Sequence, residues 1–313
     1  MKTTPITKHD ISQSVIAVPP LARNADFTIN REANAALIRH LESGGVRSLM
    51  YGGNANFYHL GVNEYAGVVD FLADTVGEDT WLLPSIGPDY GKALDQAAIL
   101  RNKPVPTAML LPMSFPFTNE GLAIGIRRIT DALGKPAVIY IKADEYIQPD
   151  TLAELFDEGR VTSIKYAVVR NNPDVDPYLR KLVDVIDKDL IVSGIGERPA
   201  IIHLRDYGLM SFTSGSVCVA PRGSMHLLHL IKERRFEEAA TLREAYLPLE
   251  DLRDAISPIR VLHEAVTLSG VADMGPMLPM LSGLSDDTRA RVLPAAKALL
   301  EHDRGLVSTL AHH

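Results

Sequence analysis

The chain has 313 residues, 46% of them hydrophobic and 23% charged, with a formal net charge of −7 at pH 7. Acids and bases are interspersed, which excludes the basic stripe that nucleic acid or an anionic membrane surface would need and leaves small-molecule chemistry open. A single cysteine, Cys218, excludes an intrachain disulfide and fits a reducing compartment.

The leader Met1-Lys2-Thr3-Thr4-Pro5 is polar, without an apolar h-region, and no stretch approaches the roughly 18 unbroken apolar residues of a membrane span, so a soluble cytoplasmic protein is expected. Residues 14–18 then form a short β-type run closed by Pro19-Pro20, and Asn30 caps a helical pattern that reaches residue 41. The same alternation recurs. Strands at 48–51, 81–85 and 105–111 precede helices starting at Asn63, Asp89 and Thr118. Strands at 137–141, 161–169, 190–193 and 209–213 precede helices near Pro149, Pro173, Pro199 and Arg222.

Eight strand–helix units at a spacing of about 25 to 35 residues predict an α/β protein of the (β/α)8 TIM-barrel class. A doubly wound sheet competes, but no Rossmann-type glycine fingerprint follows the first strand, and Gly194-Ile195-Gly196 is too short and follows the seventh. From residue 235 the periodicity is purely helical, over 236–252, 258–268 and 286–302. The expected organisation is a barrel over residues 1–234 and a C-terminal helical extension over 235–313, packed together as one structural unit. The closing His312-His313 looks like the trace of a tag and carries no weight.

The run 161–169 holds one lysine, Lys165, among apolar and β-branched residues. An ammonium there is costly unless paired or neutral. Either Lys165 closes an edge strand and snorkels to water, or burial lowers its pKa until the free amine can attack a ketone and form a Schiff base. Barrel chemistry gathers at the C-terminal strand ends, which selects Tyr51-Gly52-Gly53-Asn54-Ala55-Asn56-Phe57-Tyr58 ending strand two, Tyr140-Ile141-Lys142-Ala143-Asp144-Glu145 ending strand five, and Ser193-Gly194-Ile195-Gly196-Glu197-Arg198 ending strand seven. Gly52 and Gly53 would cradle an oxyanion with backbone N–H groups, or simply form a tight turn; Asn54 would add a donor. Tyr140 is a candidate proton shuttle, or a buried phenol satisfied by the backbone. His226 and His229, one helical turn apart without a zincin-type carboxylate, read as a helix surface, and Cys218 as a small core residue.

The order of these motifs resembles the Schiff-base lyases that include dihydrodipicolinate synthase, N-acetylneuraminate lyase and the 2-keto-3-deoxy sugar-acid aldolases and dehydratases. The resemblance covers about residues 12–285. It is carried by the Gly-Gly turn with Phe57-Tyr58 and Glu64-Tyr65, by Leu110-Leu111-Pro112 with Asn119-Glu120-Gly121, by Tyr140 and Lys165, and by Ser211 with Val219-Ala220-Pro221. It implies that Lys165 forms the imine, that Tyr140 relays protons, and that Gly52, Gly53, Asn54, Lys142, Asp144, Glu145, Gly194 and Ser214 face the substrate. It further implies a 2-oxo acid substrate, no metal or organic cofactor, and a homotetramer or homodimer. The run Phe115-Pro116-Phe117 after strand four would serve as an apolar contact for a partner subunit or fold over its own pocket.

There are departures. The family's Gly-Thr-Thr-Gly-Glu is here Gly52-Gly53-Asn54-Ala55-Asn56, its paired tyrosines after strand four are Met113 and Ser114, and Glu145 falls near the arginine that dihydrodipicolinate synthase uses for a second carboxylate. The run from Tyr140 to Pro149 is locally closer to 5-dehydro-4-deoxyglucarate dehydratase, with Lys142 in place of an arginine and Asp144 of an asparagine. The expected function is a lysine-imine lyase, aldolase or dehydratase, on a 2-oxo acid such as a 2-keto-3-deoxy sugar acid. The alternatives are dihydrodipicolinate synthase activity, or a catalytically degenerate barrel that binds or regulates.

Overall fold

Eight apolar runs become eight parallel strands: β1 (Ile16–Ala17), β2 (Ser48–Tyr51), β3 (Trp81–Ile86), β4 (Ala108–Leu110), β5 (Ala137–Ile141), β6 (Val161–Tyr166), β7 (Ile191–Ser193) and β8 (Ser211–Ser214). They pair in chain order and β8 returns to β1, so the sheet closes into a (β/α)8 barrel without an edge. The structure is a computed structural model that describes residues 1–310; His312 and His313 lie outside the described residues.

A short helix, α1 (Lys8–Ser12), precedes the barrel. Each strand is then followed by its helix: α2 (Arg31–Ser43), α3 (Val62–Thr75), α4 (Tyr90–Arg101), α5 (Asn119–Leu133), α6 (Pro149–Asp157), α7 (Pro177–Val185), α8 (Ala200–Asp206) and α9 (Pro221–Lys232). The starts obey local capping chemistry. Asn30 accepts from the Ala33 N–H at 3.0 Å and Thr118 from that of Gly121 at 3.0 Å, while Pro149, Pro177 and Pro221 occupy first turns, where a missing N–H costs nothing. The C-terminal helices are α10 (Phe236–Arg243), α11 (Leu247–Ile256), α12 (Pro258–Ser269) and α13 (Asp286–Leu310). Among the described residues no helix is long and apolar enough to cross a membrane.

Several elements differ from the sequence reading: β1 and β4 are shorter than the runs 14–18 and 105–111, and α13 extends past residue 302. Four further differences concern α1, β6, α7 and the α10–α11 pair. α1 arises from a capping box between Thr7 and Asp10 in a segment too short to show periodicity. β6 stops at Tyr166, and Val169, 73% exposed, has left the ladder. α7 starts at Pro177 because Asp176 caps it, accepting from the Leu179 N–H at 3.0 Å. The single pattern over 236–252 splits into α10 and α11, since Pro248 lacks the N–H that a continuous helix would bond there.

The main core fills the barrel and the layer beneath its helices; a second cluster joins Val219 and Ala220 to Leu249, Leu262, Val292 and Leu299 of the extension. Polar contacts cross the same boundary. Tyr246 donates its hydroxyl proton to the Ala220 carbonyl at 2.9 Å, the Gly223 N–H donates to Asp303 at 2.8 Å, and Arg243 donates to the Arg198 carbonyl at 2.9 Å. Barrel and extension are therefore expected to unfold in one transition, with the fluorescence of Trp81 in β3 and the far-ultraviolet helix signal coincident in a denaturant titration. Leu249→Ala, at a fully buried position, should lower stability by about 2–5 kcal/mol by both probes. Separate transitions would show that the extension folds on its own.

Candidate active site

Parallel register sets Lys165 of β6 opposite Tyr140 of β5 and Val192 of β7. Register partners on neighbouring strands project to one face, so the lysine and the tyrosine share the mouth of the barrel. The Lys165 Nζ lies 4.4 Å from the centre of the Tyr140 ring. β6 is an interior strand of a closed sheet and Lys165 is only 6% exposed, so the edge-strand reading falls. Burial, then the like charge of Lys142, pull the Lys165 ammonium from its ordinary 10.5 down to about 7, and no acid acts on it in the opposite sense. A substantial fraction is thus the free amine, whose lone pair is nucleophilic. Burial pushes the Tyr140 phenol up, which keeps it protonated and able to donate.

After β2 the chain makes a single tight helical turn at Gly53–Ala55. A Cβ on Gly52 would meet Ser85 Oγ at 2.8 Å and Met109 Cε at 3.0 Å, so only glycine lets this turn settle against β3 and β4. Asn54 donates from Nδ2 to the Val18 carbonyl at 3.0 Å, tying the turn to the end of β1. Across the mouth, a Cβ on Gly194 would fall 2.7 Å from the Tyr166 carbonyl oxygen and 3.0 Å from Lys165 Cγ; glycine there lets the end of β7 close on the lysine stem.

Gly53, Asn54, Tyr140, Lys142, Lys165 and Gly194 line one cavity of ≈160 Å³, and Gly52 lines a smaller space of ≈40 Å³ that shares Gly53, Asn54, Tyr140 and Lys165 with it. Tyr58, which closes the run selected after strand two, lines the larger cavity as well, and Arg253 and Leu262 share it without having been anticipated. The Phe57-Tyr58 pair was a visible signal for Tyr58, whose phenol is pushed up to about 12 by burial and by Tyr146. Arg253 and Leu262 come from α11 and α12, and a rule that looks only at strand ends does not reach them.

Behind the loop after β7 lies a buried carboxyl pair. The Glu197 N–H donates to Glu250 Oε1 at 2.9 Å, and Ser224 donates its hydroxyl proton to Glu197 Oε1 at 2.6 Å. Burial pushes both carboxyls up, and the charge of Glu197 adds to the effect on Glu250, so the pair resists full ionisation. Arg253 Nη1 donates to Glu250 Oε1 at 3.2 Å and to the Ile195 carbonyl at 3.0 Å, which clamps the β7 loop to α11.

Other anticipated residues stand elsewhere. Asp144 pairs with Arg170, Glu145 pairs with Lys181 at 2.9 Å, and neither lines the cavity. Arg170 also holds Asp176 at 2.9 Å, which accepts the Tyr166 hydroxyl at 2.8 Å, so the rim acid Asp144 belongs to a network bracing the loop that follows β6. Ser214 is buried behind the cavity wall and accepts from the Val217 N–H at 2.9 Å. Cys218 is a buried thiol pushed up by burial. A larger groove of ≈730 Å³, lined by Leu111, Phe115, Phe117, Ile124 and Tyr146, contains neither Lys165 nor Tyr140. Among the described residues no group of three or more His, Cys, Asp or Glu is placed to hold a metal ion.

Comparison with known proteins gives a consistent picture. The family model described as the dihydrodipicolinate synthetase family matches residues 12–299. A probable 5-dehydro-4-deoxyglucarate dehydratase of Rhizobium meliloti is 23% identical over 296 residues, 90% of this chain and 94% of that protein. Among solved structures, a dihydrodipicolinate synthase from Oceanobacillus iheyensis aligns with a TM-score of 0.81 at 22% identity, covering 92% of this chain and 96% of that one. A sialic acid aldolase of Ruminococcus gnavus aligns with a TM-score of 0.81 at 14% identity, over 94% of this chain and 99% of that one, and is also solved as a catalytic lysine mutant.

The depressed basicity of Lys165 is measurable without a substrate. Competitive acetylation at limiting reagent, read by peptide mass spectrometry, should show Lys165 labelling rise with pH through about 7 and level off above it, because the amine reacts and the ammonium does not. Lys142→Gln removes the like charge and should move the midpoint upward. A midpoint near 10 would contradict the burial argument.

Proposed function

Because the chain belongs to the dihydrodipicolinate synthetase family, we propose that it is a lysine-imine lyase acting on a 2-oxo acid. The observation that carries this reading is a buried lysine with no acid beside it, register-paired with a tyrosine at the mouth of the barrel. In this scheme the Lys165 amine adds to the C2 ketone, the carbinolamine loses water, and a protonated imine results. That imine is an electron sink for the carbon next to it: removal of a C3 proton followed by loss of the β-hydroxyl as water gives dehydration, whereas removal of the C4 hydroxyl proton and breaking of C3–C4 release an aldehyde and leave an enamine, which takes a proton at C3 and becomes an imine again. Water then hydrolyses the imine and restores the amine.

Tyr140 is the proposed proton carrier, its phenol held protonated against the lysine. The N–H groups of the Gly52-Gly53-Asn54 turn are proposed to hold the substrate carboxylate, with Lys142 and Gly194 at its flanks. For Asp144, Glu145 and Ser214 the partners described above favour positioning roles over direct contact. A 2-keto-3-deoxy sugar acid is the preferred substrate, supported by the names of the dehydratase relatives. The chemistry needs no metal or organic cofactor, and a cytoplasmic location suits it.

Intact-mass spectrometry after incubation with borohydride and either pyruvate or a panel of 2-keto-3-deoxy sugar acids tests the reading. Hydride reduces the C=N bond to a stable secondary amine, so an adduct mapped to Lys165 and absent from Lys165→Ala is expected, with turnover lost in that variant. A folded protein that yields no adduct with any 2-oxo acid would be a barrel that binds without a covalent step.

We also propose that the protein self-associates through the groove beside the loop after β4, where Phe115 is 84% exposed and Ile124 45% exposed. Light scattering should report a dimer or tetramer, and Phe115→Asp should shift it toward the monomer. A wild-type monomer at micromolar concentration would exclude this.

A further inference from the structure

We propose that Glu197 and Glu250 are positioning residues that share a single proton, and that this proton latches the loop after β7 to α11 at the edge of the Lys165 cavity. The consequence for chemistry rests on the imine reading of Lys165; the latch itself does not.

The first ground is a pair of unbonded oxygens. Both glutamates are fully buried. Glu197 Oε1 accepts the Ser224 hydroxyl at 2.6 Å, and Glu250 Oε1 accepts the Glu197 N–H at 2.9 Å and Arg253 Nη1 at 3.2 Å. Oε2 of each carboxyl is sealed from solvent and has no donor. The two side chains stand as hydrogen-bond partners of one another. Ionised carboxyls offer only acceptors, so that contact needs a proton on one of them, and a single O–H donated across the pair satisfies both stranded oxygens.

Charge is the second ground. Arg253 is the cation bonded to the pair, and one retained proton leaves these three buried groups neutral together. Two carboxylates would leave an uncompensated charge in the core. The groups around them do not supply a second cation. Tyr246 and Cys218 are buried and held protonated, and Asp303, which also acts on Tyr246, is itself an acid. Ser214 and Ser224 face Glu197 with hydroxyls, and Arg198 pairs at the rim with Asp251 and Asp254.

The third ground is position. Gly194, Ile195 and Gly196 line the cavity that holds Lys165, and Glu197 is the next residue. At Gly196, φ +90°, a Cβ would fall 2.3 Å from Glu250 Oε1, so the loop backbone lies directly on the carboxyl. Arg253 Nη1 also donates to the Ile195 carbonyl at 3.0 Å. Loss of the shared proton therefore sets two like charges between a loop and a helix that wall the cavity.

The sign of the pH dependence follows. Both carboxyls are raised above the ordinary glutamate value of 4.5, Glu250 to about 8, by burial first and then, for Glu250, by the charge of Glu197. The stability held in the proton is complete below the ordinary value and is lost as pH rises through the folded one.

Glu197→Gln tests the latch, because its amide keeps the Ser224 contact and donates an N–H where the shared O–H stands. Denaturant titrations give folding constants for the wild type and the variant. Their wild-type to variant ratio should fall by up to about tenfold per pH unit between about 5 and about 8, then level. Infrared difference spectra should show a protonated-carboxyl C=O band in the wild type at neutral pH that fades on the alkaline side and is missing from Glu197→Gln and Glu250→Gln. A flat ratio overturns the proposal, and absence of the band from the wild type does so even if neither variant folds. With pyruvate and borohydride, trapping on Lys165 should rise through about 7 and then fall in the wild type, but rise and stay high in Glu197→Gln. An equal alkaline fall in both proteins overturns the positioning role. No adduct at any pH defeats the imine reading, while the folding constants and the infrared band still decide the latch.

Discussion

Lys165 sits on an interior strand of a sheet that has no edge, and no acid stands beside it to offset the loss of water. The fall of its ammonium from 10.5 to about 7 corresponds to about 5 kcal/mol in favour of the neutral amine. The surroundings sustain that penalty in two ways: Gly194 lets the neighbouring strand end press on the lysine stem, and Lys142 adds a like charge. The β5–β6 register sets the Tyr140 ring beside the amine, and a ring face attracts a cation far more weakly than a carboxylate there would. An acid near Lys165 would restore the ammonium and remove the nucleophile. The acids of the β5 loop are instead held at the rim by Arg170 and Lys181.

The barrel supplies Lys165 and Tyr140, but its strand ends do not close the cavity. Closure comes from α11 and α12, which bring Arg253, Ile259 and Leu262 over the mouth. These helices are anchored by the second apolar cluster and by the contacts of Glu250 and Arg253 with the loop after β7. The buried Glu197–Glu250 pair is a costly element to keep in a core, and its geometry explains its presence: it fixes one arginine against one loop. Stability and the shape of the site thus share the same residues, so substitutions in the extension alter both.

Much of the site was legible because neighbours in a closed parallel barrel are neighbours in the chain. Once residues 137–141 and 161–166 are read as consecutive strands, Tyr140 and Lys165 must come together at their C-terminal ends. The Gly52-Gly53 turn and Gly194 follow from the same rule. The rule failed where side chains had a choice of partner. Asp144 and Glu145 are as close to Tyr140 in sequence as Lys142 is, yet Arg170 and Lys181 draw them to the rim. Ser214 ends β8 but its hydroxyl is taken by the Val217 N–H.

By itself the sequence determined the eight-fold alternation, the helical tail and a lysine set in an apolar run, because hydrophobic periodicity is a local property of a segment; whether that lysine was buried or reached water was left to the closure of the sheet. Only the tertiary structure decided that Lys165 has no acid beside it, that the β5 acids turn outward, and that an arginine from the tail reaches the cavity. Those outcomes depend on where separate elements dock, and an amphipathic helix such as α11 shows in its pattern that it has a buried face without showing what that face will meet.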